Sequence, residues 1–201
     1  MTTRYFKATD WVRGSVKFKE PSNFDIDNDI VLIVGTSGSM EGDIKSFDEL
    51  EIDADVIAVN KAIALLDRNV KHFVSLDLAK QSVHKDLLED VVVHSIDEPN
   101  TEALDMAHCL WNFENRCLRM SGIYAIIVAV ALGYKKILLA GISMDKSGHS
   151  DSPNDNTSAY PARWQCNLGL NVVRHCGKYV RSFSGLTKDS FGYPDKEFLE
   201  S

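Results

Sequence analysis

Short apolar runs separated by polar turns recur along the chain. Residues 30–34, with the sequence IVLIV, and residues 55–59, with the sequence DVIAV, predict strands buried on both faces. Further strands are predicted at residues 72–76, 91–93 and 179–183. Segments with helical spacing lie between most of these runs. Strands that alternate with helices are typical of an α/β domain built around a mostly parallel sheet.

The longest apolar stretch is residues 121–142, SGIYAIIVAVALGYKKILLAGI. Its first part predicts a helix buried on every side, with Ser121 as the N-cap and Gly133 as the residue that ends it. This helix is too short for a membrane span, which needs about 20 apolar residues. Residues 137–140 predict another buried strand. We therefore expect residues 1–201 to form a single three-layer α/β/α Rossmann-like domain with a mostly parallel sheet.

Several segments depart from the strand–helix pattern. Residues 1–29 are mixed and polar and predict an N-terminal extension, in which residues 15–19 alternate like an edge strand. Residues 143–160 form the longest polar segment and predict a lid-like loop over the strand ends. Residues 185–201 predict a tail that docks on the body or on a partner. Residues 101–120 predict helical stretches broken by polar residues.

The acidic balance of the chain limits its partners. The 201 residues carry a net charge of −7, and the pI is near 5.3. This charge disfavours nucleic acid and anionic membranes as non-specific partners. The residues after Met1 form no apolar signal segment, so we expect a cytoplasmic protein.

The cysteines predict neither a disulfide framework nor a metal site. Cys109, Cys117, Cys166 and Cys176 show no C-x-x-C spacing, so we expect free thiols in a reducing compartment. Two of them directly follow a histidine. Because neighbouring side chains on a helix point about 100° apart, such a pair makes no bidentate clamp.

The turn after the first buried strand has the composition of an anion-binding loop. It consists of Gly35, Thr36, Ser37, Gly38 and Ser39, and it lies between that strand and a helix-like segment. Backbone amides point at a ligand in such a turn, and glycine lets the ligand approach closely. The turn matches neither the G-x-G-x-x-G fingerprint nor the P-loop. A purely structural turn is the alternative.

The residues near this turn favour a small anion. Glu41 and Asp43 would repel a heavily charged polyphosphate. Asn60 follows the second strand, where an NAD site would carry a carboxylate. We therefore expect a monophosphate or a nucleoside monophosphate.

Polar and small residues also follow other elements at the edge where open α/β sheets bind ligands. Asp77 follows the third strand, and its carboxylate either contacts a ligand or caps the next helix. Ser121 and Gly122 lie at a helix N-terminus, and Gly141 and Ser143 lie after a strand. With the turn and the asparagine, these residues form the predicted nucleotide site.

The chain resembles bacterial sialyltransferases of the Campylobacter and Haemophilus type, and the related domain of unknown function that includes archaeal hydroxymethylpterin diphosphokinases. The most specific match is residues 121–142, where a Ser-Gly pair, an apolar helix and the pattern A-x-x-L-G-Y-K-x-I-x-L-x-G-I follow one another. Residues 30–39, 56–60 and 72–77 carry the rest. The resemblance covers about residues 30–148.

The resemblance implies which residues meet the CMP group of a donor. The family's first loop reads G-N-G-P-S, and Gly35 and Ser39 match it, whereas residues 36–38 differ. Asn60 matches the family's Asn after the second strand. The Ser121-Gly122 pair matches the part of the family that meets the cytosine nucleotide.

Two departures from the family concern the transfer chemistry. The family's G-I-D is Gly141-Ile142-Ser143 here, with Asp145 two residues later. The family's catalytic His lies near the start of the helix before the last strand, where this chain has residues 160–164 and no His. His149, in the preceding loop, is the nearest imidazole, a group suited to general base catalysis near neutral pH. We therefore expect His149 or Asp145 to be the base.

The leading hypothesis is a sialyltransferase-like glycosyltransferase that moves a sugar from a nucleotide-sugar, with CMP as the expected nucleotide, to an unknown acceptor. No cofactor or metal is expected, because the nucleotide-sugar is the substrate. The alternatives are a non-catalytic nucleotide-binding module and a pterin pyrophosphokinase-like transferase. The sequence leaves the sugar, the acceptor and the formation of a homo-oligomer open.

Overall fold

A nine-stranded sheet lies at the centre of the protein in the computed structural model. The structure describes residues 1–19, 26–96, 106–114, 120–150 and 167–201. The strands are β1 (Thr2–Lys7), β2 (Arg13–Phe18), β3 (Ile30–Val34), β4 (Asp55–Val59), β5 (His72–Val74), β6 (Val92–Ile96), β7 (Cys109–Phe113), β8 (Lys136–Ala140) and β9 (Val180–Ser182). Their order across the sheet is β1-β2-β7-β6-β5-β4-β3-β8-β9.

The sheet is mostly parallel, which confirms that part of the prediction. All neighbouring pairs from β7 across to β9 run parallel, whereas the β1–β2 and β2–β7 pairs are antiparallel. The chain extends the sheet from β3 through β4, β5 and β6 to β7, and then places β8 on the other side of β3. Its direction therefore reverses between β3 and β8. Open α/β sheets bind ligands at the carboxyl ends of the strands at such a point.

Helices and 3₁₀ helices connect the strands. The helices are α1 (Met40–Asp48), α2 (Ser121–Leu132), α3 (Asn167–Cys176), α4 (Gly185–Phe191) and α5 (Lys196–Glu200). The 3₁₀ helices are Asn60–Ala64 and Ala79–Leu88. None of the helices in the described ranges has both the length and the apolar composition that a bilayer crossing requires.

The central strands are buried on both faces because their side chains enter two separate hydrophobic clusters. On β3, Val31 and Ile33 join a cluster that contains helix α2, while Leu32 and Val34 join one that contains Met40 of α1. The side chains of β8 alternate between the same two clusters. A strand with apolar neighbours on both sides reads as a continuous apolar run, which is why the sequence pattern located these strands.

Helix α2 is buried along its length, as its composition predicts. The residues from Gly122 to Val130 are all buried, and each large apolar side chain among them contributes about 1.5–3 kcal/mol to folding. Gly133 ends the helix in the left-handed conformation, with φ of 104°. Ser121 is the first helical residue and not the N-cap, since the N-cap position is Met120. The Ser121 hydroxyl oxygen instead accepts a hydrogen bond from Leu76 N at 3.4 Å.

Strand β7 was not anticipated by the pattern, which predicts helical stretches in residues 101–120. It pairs with β6 in parallel and with β2 antiparallel, so the predicted N-terminal extension contributes two strands to the sheet. The predicted edge strand corresponds to β2, but β1 pairs on its outer side. The predicted tail contains α4 and α5, which bury Phe191 and Phe198.

Candidate functional site

A cavity of about 230 Å³ lies between the carboxyl ends of β3 and β8, where the strand order reverses. The N-terminus of α2 and the start of the Asn60–Ala64 helix complete its wall. The lining residues are Gly35, Thr36, Ser37, Val59, Asn60, Met120, Ser121, Gly122, Gly141, Ile142, Ser143, Met144 and His149.

Most of the residues predicted for the nucleotide site and for catalysis meet at this cavity. Those that line it are Gly35, Thr36, Ser37, Asn60, Ser121, Gly122, Gly141, Ser143 and His149. Those that are not among the lining residues are Gly38, Ser39, Asp77 and Asp145. Residues 160–164, which stand where the family places its catalytic His, lie outside the described residues.

The amides of the turn after β3 are largely engaged by the chain itself. Gly35 N donates to the Ala140 carbonyl at 2.9 Å, and Ser37 N donates to the Gly141 carbonyl at 2.9 Å. Gly38 N donates to the Gly148 carbonyl at 3.0 Å. The prediction that this whole turn presents its amides to a phosphate is therefore wrong. Within the described part of the chain, the Thr36 and Ser39 amides are the ones in this turn that donate to no protein acceptor.

The glycines of the turn are explained by the contact between two loops and not by the approach of a ligand. A Cβ atom on Gly35 would lie 2.6 Å from the Gly141 carbonyl oxygen and 2.8 Å from Ile142 Cγ1. Gly141 adopts φ of 63°, and its own Cβ would lie 2.3 Å from the Gly35 carbonyl oxygen. These two glycines let the loops after β3 and β8 pack backbone against backbone, which forms the floor of the cavity.

Replacing Gly35 by Ala is expected to destabilise the fold itself. The added methyl group meets a backbone oxygen that cannot move without disturbing the loop after β8. We expect a loss of about 1–3 kcal/mol in the free energy of unfolding, typical of an overpacked site with a backbone shift, measured by urea denaturation.

Gly42→Ala is the matched control for this prediction. Gly42 lies inside α1, and apart from its chain neighbours and the backbone of its own helix no described atom comes within 4 Å of a Cβ atom built there. Since alanine is the better helix former, this variant is expected to gain up to about 1 kcal/mol. Equal stabilities of the two variants would contradict the tight packing of the loops.

In the described residues, the N-terminus of α2 has three consecutive amides without a protein acceptor, whereas the two such amides of the turn after β3 are not adjacent. Its N-cap residue, Met120, provides no side-chain hydrogen bond. Among the described residues, no protein acceptor faces the amides of Ser121, Gly122 and Ile123. The positive end of the helix dipole points the same way, and this combination favours an anion. Among the described elements that line the cavity, the N-terminus of α2 thus has the geometry best suited to an anion.

Ser39 belongs to a buried cluster behind the cavity. Its hydroxyl donates to Asp43 Oδ2 at 3.0 Å and lies 2.7 Å from Ser184 Oγ. The same Asp43 oxygen accepts hydrogen bonds from Ser184 Oγ at 2.6 Å and from Gly141 N at 2.8 Å. Asp43 is 5% exposed and joins α1 to the loops after β8 and β9. Asp43 is not among the residues that line the cavity, and its repulsion of a polyphosphate stays a prediction.

Asp77 lies away from the cavity. Its carboxylate is exposed and forms an ion pair with Lys80 at 2.6 Å, one turn further along the chain. The hydrogen bond from Lys80 lowers the pKa of Asp77. The N-cap of the following 3₁₀ helix is Leu78, so Asp77 neither lines the predicted site nor caps that helix.

His149 is held against the turn after β3. Its Nδ1 lies 3.0 Å from Thr36 Oγ1 and 3.2 Å from the Thr36 carbonyl oxygen. The backbone around it pairs with the turn through an antiparallel bridge between Ser37 and His149 and through Ser150 N, which donates to the Thr36 carbonyl at 2.8 Å. The described start of the predicted lid-like loop is thus fixed at the rim of the cavity, while residues 151–160 lie outside the described residues.

Asp145 is committed to the loop in which it lies. Its Oδ1 accepts hydrogen bonds from Ser143 Oγ at 2.8 Å and from Ser147 N at 2.9 Å. Partial burial raises the pKa of the Asp145 carboxyl, but the hydrogen bonds from Ser147 and Ser143 lower it by more, so the pKa lies below its usual value. A carboxylate with a lowered pKa is a weak base. Of the two predicted bases, the geometry favours His149.

Two residues at the cavity adopt strained backbone conformations. Asn60 has φ of 53° and Met144 has φ of 54°. Asparagine tolerates this left-handed region, but methionine enters it at a cost of about 1–2 kcal/mol. Strain of this kind concentrates at ligand-binding and catalytic sites. The strained backbone positions therefore lie at the same cavity that the predicted site residues line.

Compared with known proteins, the chain matches no protein-family model, and a search of curated proteins gives no significant match.

The apolar wall of the cavity was not predicted from the sequence. Val59, Met120, Ile142 and Met144 line it beside the polar residues. Val59 and Met120 directly precede predicted site residues, and Ile142 lies between two of them, so their positions at strand and helix ends were the available signal. Apolar side chains carry no chemical signature of their own, and a search for polar groups passes over them.

Proposed function

We propose that the chain is a sialyltransferase-like glycosyltransferase that uses a nucleotide-sugar donor, with CMP as the nucleotide. One observation carries the proposal: a single cavity at the reversal of strand order gathers the residues that resemble the family's nucleotide site. These include Gly35, Asn60 and the Ser121-Gly122 pair. The transfer function and the CMP group rest on the resemblance, and the gathering of these residues supports them.

We propose further that the sheet is the middle of a three-layer, Rossmann-like α/β/α unit. The two hydrophobic clusters support this arrangement, because alternate side chains of β3 and β8 enter different clusters. Helix α2 belongs to one cluster and Met40 and Phe47 of α1 to the other. The reversal of strand order between β3 and β8 is also the feature at which Rossmann-like proteins bind nucleotides.

The size and lining of the cavity suit one part of a nucleotide. Pockets that enclose drug-sized ligands measure about 300–1,000 Å³, and this cavity measures about 230 Å³. The amides of Ser121 and Gly122 would bind the phosphate, and the side chain of Asn60 and the hydroxyl of Ser143 would bind the sugar. The base and the transferred sugar would then extend beyond the cavity.

In the proposed reaction the bond between the sugar and the phosphate oxygen breaks, and its electron pair leaves with the nucleotide. The acceptor hydroxyl oxygen forms the new bond to the sugar, and His149 takes the proton from that hydroxyl. The helix N-terminus would stabilise the charge that develops on the departing phosphate. No group besides donor, acceptor and these residues is needed to balance the step.

The two alternatives make different demands on the site. A non-catalytic nucleotide-binding module needs the cavity but no base. A pterin pyrophosphokinase-like transferase would hold Mg²⁺ and phosphates with carboxylates, and none of the described residues that line the cavity is Asp or Glu. The residues that line the cavity therefore favour the glycosyltransferase over the pyrophosphokinase-like transferase. They do not separate the glycosyltransferase from the non-catalytic binding module.

A ligand screen by thermal shift tests the nucleotide site. The full chain is tested with CMP, CDP, UDP, GDP and ATP, and CMP is expected to raise the unfolding temperature most. At a free concentration near 100 Kd, a ligand stabilises the folded state by about 2.7 kcal/mol. A screen in which no nucleotide changes the unfolding temperature would remove the basis of the proposal.

Asn60→Asp is expected to weaken CMP binding while leaving the fold intact. Aspartate tolerates the left-handed backbone of Asn60, but it would add a negative charge to the wall of the cavity that is proposed to hold the phosphate. For two unit charges separated by roughly 8 Å at an effective dielectric constant near 20, the repulsion is about 2 kcal/mol, or roughly thirtyfold in Kd. Titration calorimetry measures the change.

Asn112→Asp adds the same charge on an exposed position of β7, away from the cavity. This control is expected to bind CMP as the wild type does. Similar Kd values for the two variants would place the nucleotide elsewhere.

A further inference from the structure

We propose that Thr36 is a positioning residue that holds His149 in the tautomer with its proton on Nδ1, so that the lone pair of the ring lies on Nε2. The role of that lone pair as a general base rests on the proposed function, but the tautomer does not. Neither the sequence pattern nor the resemblance assigns this role, because the family's loop has Asn at the position of Thr36.

The hydrogen bonds of the ring define the tautomer. His149 Nδ1 lies 3.2 Å from the Thr36 carbonyl oxygen and 3.0 Å from Thr36 Oγ1. A carbonyl oxygen only accepts hydrogen bonds, so the tautomer with its proton on Nδ1 is the one that makes hydrogen bonds of both contacts. In the opposite tautomer only the hydroxyl of Thr36 would bond to the ring, as a donor to Nδ1. In a neutral imidazole with Nδ1 protonated, Nε2 is the basic nitrogen.

The backbone keeps the ring in this place. The Ser37–His149 bridge, the bond from Gly38 N to the Gly148 carbonyl and the bond from Ser150 N to the Thr36 carbonyl flank the histidine on both sides. The imidazole is therefore fixed at its backbone and at Nδ1. A rigid backbone and an oriented ring are what a positioned base requires.

The consequence of the tautomer is chemical. In hydrolases with a catalytic histidine, a neighbouring acceptor holds the Nδ1 proton and leaves Nε2 to take the proton of the attacking hydroxyl, and the wrong tautomer costs several orders of magnitude in rate. Thr36 would play the part of that acceptor here, with an uncharged oxygen in place of a carboxylate. The side chain that replaces the family's Asn in this loop thus gains a function.

NMR spectra of the ring nitrogens test this proposal without any substrate. In ¹⁵N-labelled protein, long-range ¹H–¹⁵N correlations separate a protonated ring nitrogen from a bare one, and His149→Gln identifies the signals. The wild type at neutral to alkaline pH is expected to show a protonated Nδ1 and a bare Nε2 for His149. A protonated Nε2 in the wild type would overturn the proposal, whatever the variants do.

Two variants separate the side chain of Thr36 from its backbone. Thr36→Val keeps the branched shape but lacks the acceptor, and it is expected to shift the tautomer ratio about fivefold towards Nε2–H, the equivalent of one neutral hydrogen bond. Thr36→Ser keeps the hydroxyl and is expected to keep the wild-type ratio. An unchanged ratio in Thr36→Val would refute a positioning role for this side chain, and Thr36→Ala serves in its place if the Val variant does not fold.

The outcome is independent of the nucleotide screen. If no nucleotide binds but His149 carries its proton on Nδ1, the proposed function fails and the positioning of the ring stands. If CMP binds but Nε2 is protonated, the nucleotide site stands and the role of Thr36 fails.

Discussion

Replacing His149 by Gln is expected to lower the turnover of the proposed transfer reaction at least a hundredfold while the affinity for CMP stays unchanged. General base catalysis contributes about 10²–10⁴ in rate, and glutamine cannot take up a proton. His149 lines the cavity and is fixed at its rim by Thr36. Turnover is measured with a CMP-linked sugar and a panel of acceptors, and affinity is measured by calorimetry.

The unfolding temperature of the same variant is expected to match that of the wild type. A hundredfold loss of turnover together with a lowered unfolding temperature would indicate that His149 serves the structure and not the proton transfer.

Asp145→Asn is the control that separates the two predicted bases. Asparagine keeps the Oδ1 acceptor for Ser143 and Ser147, so the loop is expected to hold its conformation. This variant is expected to retain most of the turnover. Loss of turnover here, with near-normal turnover in His149→Gln, would assign the base to the carboxylate. No turnover of the wild type with any donor would favour the binding-module alternative.

The central strands and helix α2 were predictable because buried elements have an apolar local sequence. A strand covered on both faces is apolar along most of its length, and β3, β4 from Val56 onward and β8 from Ile137 onward are such runs. Strand β7 has a less continuous apolar pattern. Its sequence CLWNF exposes Asn112 and lies beside residues with no clear period, and its strand conformation depends on pairing with β6 and β2, which are distant in sequence.

The location of the site was predictable from one general rule, because residues that follow parallel strands meet at the same edge of the sheet. That rule brought Gly35, Asn60 and Gly141 together correctly. It failed at Asp77, where a nearby lysine satisfies the carboxylate on the surface. It also failed to show which amides are free, since the partners of the turn after β3 come from residues 140–148, a hundred positions away.

Hydrogen bonds join three buried rings, those of Trp111, His94 and His72. This arrangement predicts a second large effect, the loss of stability in acid. Trp111 Nε1 donates to His94 Nδ1 at 3.0 Å, so His94 carries its proton on Nε2 and donates it to His72 Nδ1 at 3.0 Å. Both acceptor nitrogens are thus occupied by donors. Within the described part of the chain, His72 Nε2 is buried without a hydrogen-bond partner. A proton added to either ring would break a hydrogen bond and bury a charge.

These surroundings lower the pKa of both histidines. Burial lowers the pKa of His72 to about 4, helped by the charge of Lys71 and opposed by Asp55 and Asp27. Burial, and after it the neighbouring His72 and His108, hold the pKa of His94 well below its usual value. Both rings are therefore neutral in the folded protein at pH 7, with their protons placed by the hydrogen bonds of the chain.

The free energy of unfolding is expected to fall as the pH is lowered from 6.5 to 4. In that interval the unfolded chain takes up protons at these histidines and the folded chain does not, so the stabilisation is complete above pH 6.5 and lost near pH 4. For His72 alone, a pKa of about 4 in place of 6.5 corresponds to about 3 kcal/mol.

Urea denaturation at successive pH values measures the slope. His72→Gln keeps an acceptor for His94 but does not titrate, so its curve is expected to be flatter. A His72→Gln curve parallel to that of the wild type would show that another group causes the acid sensitivity.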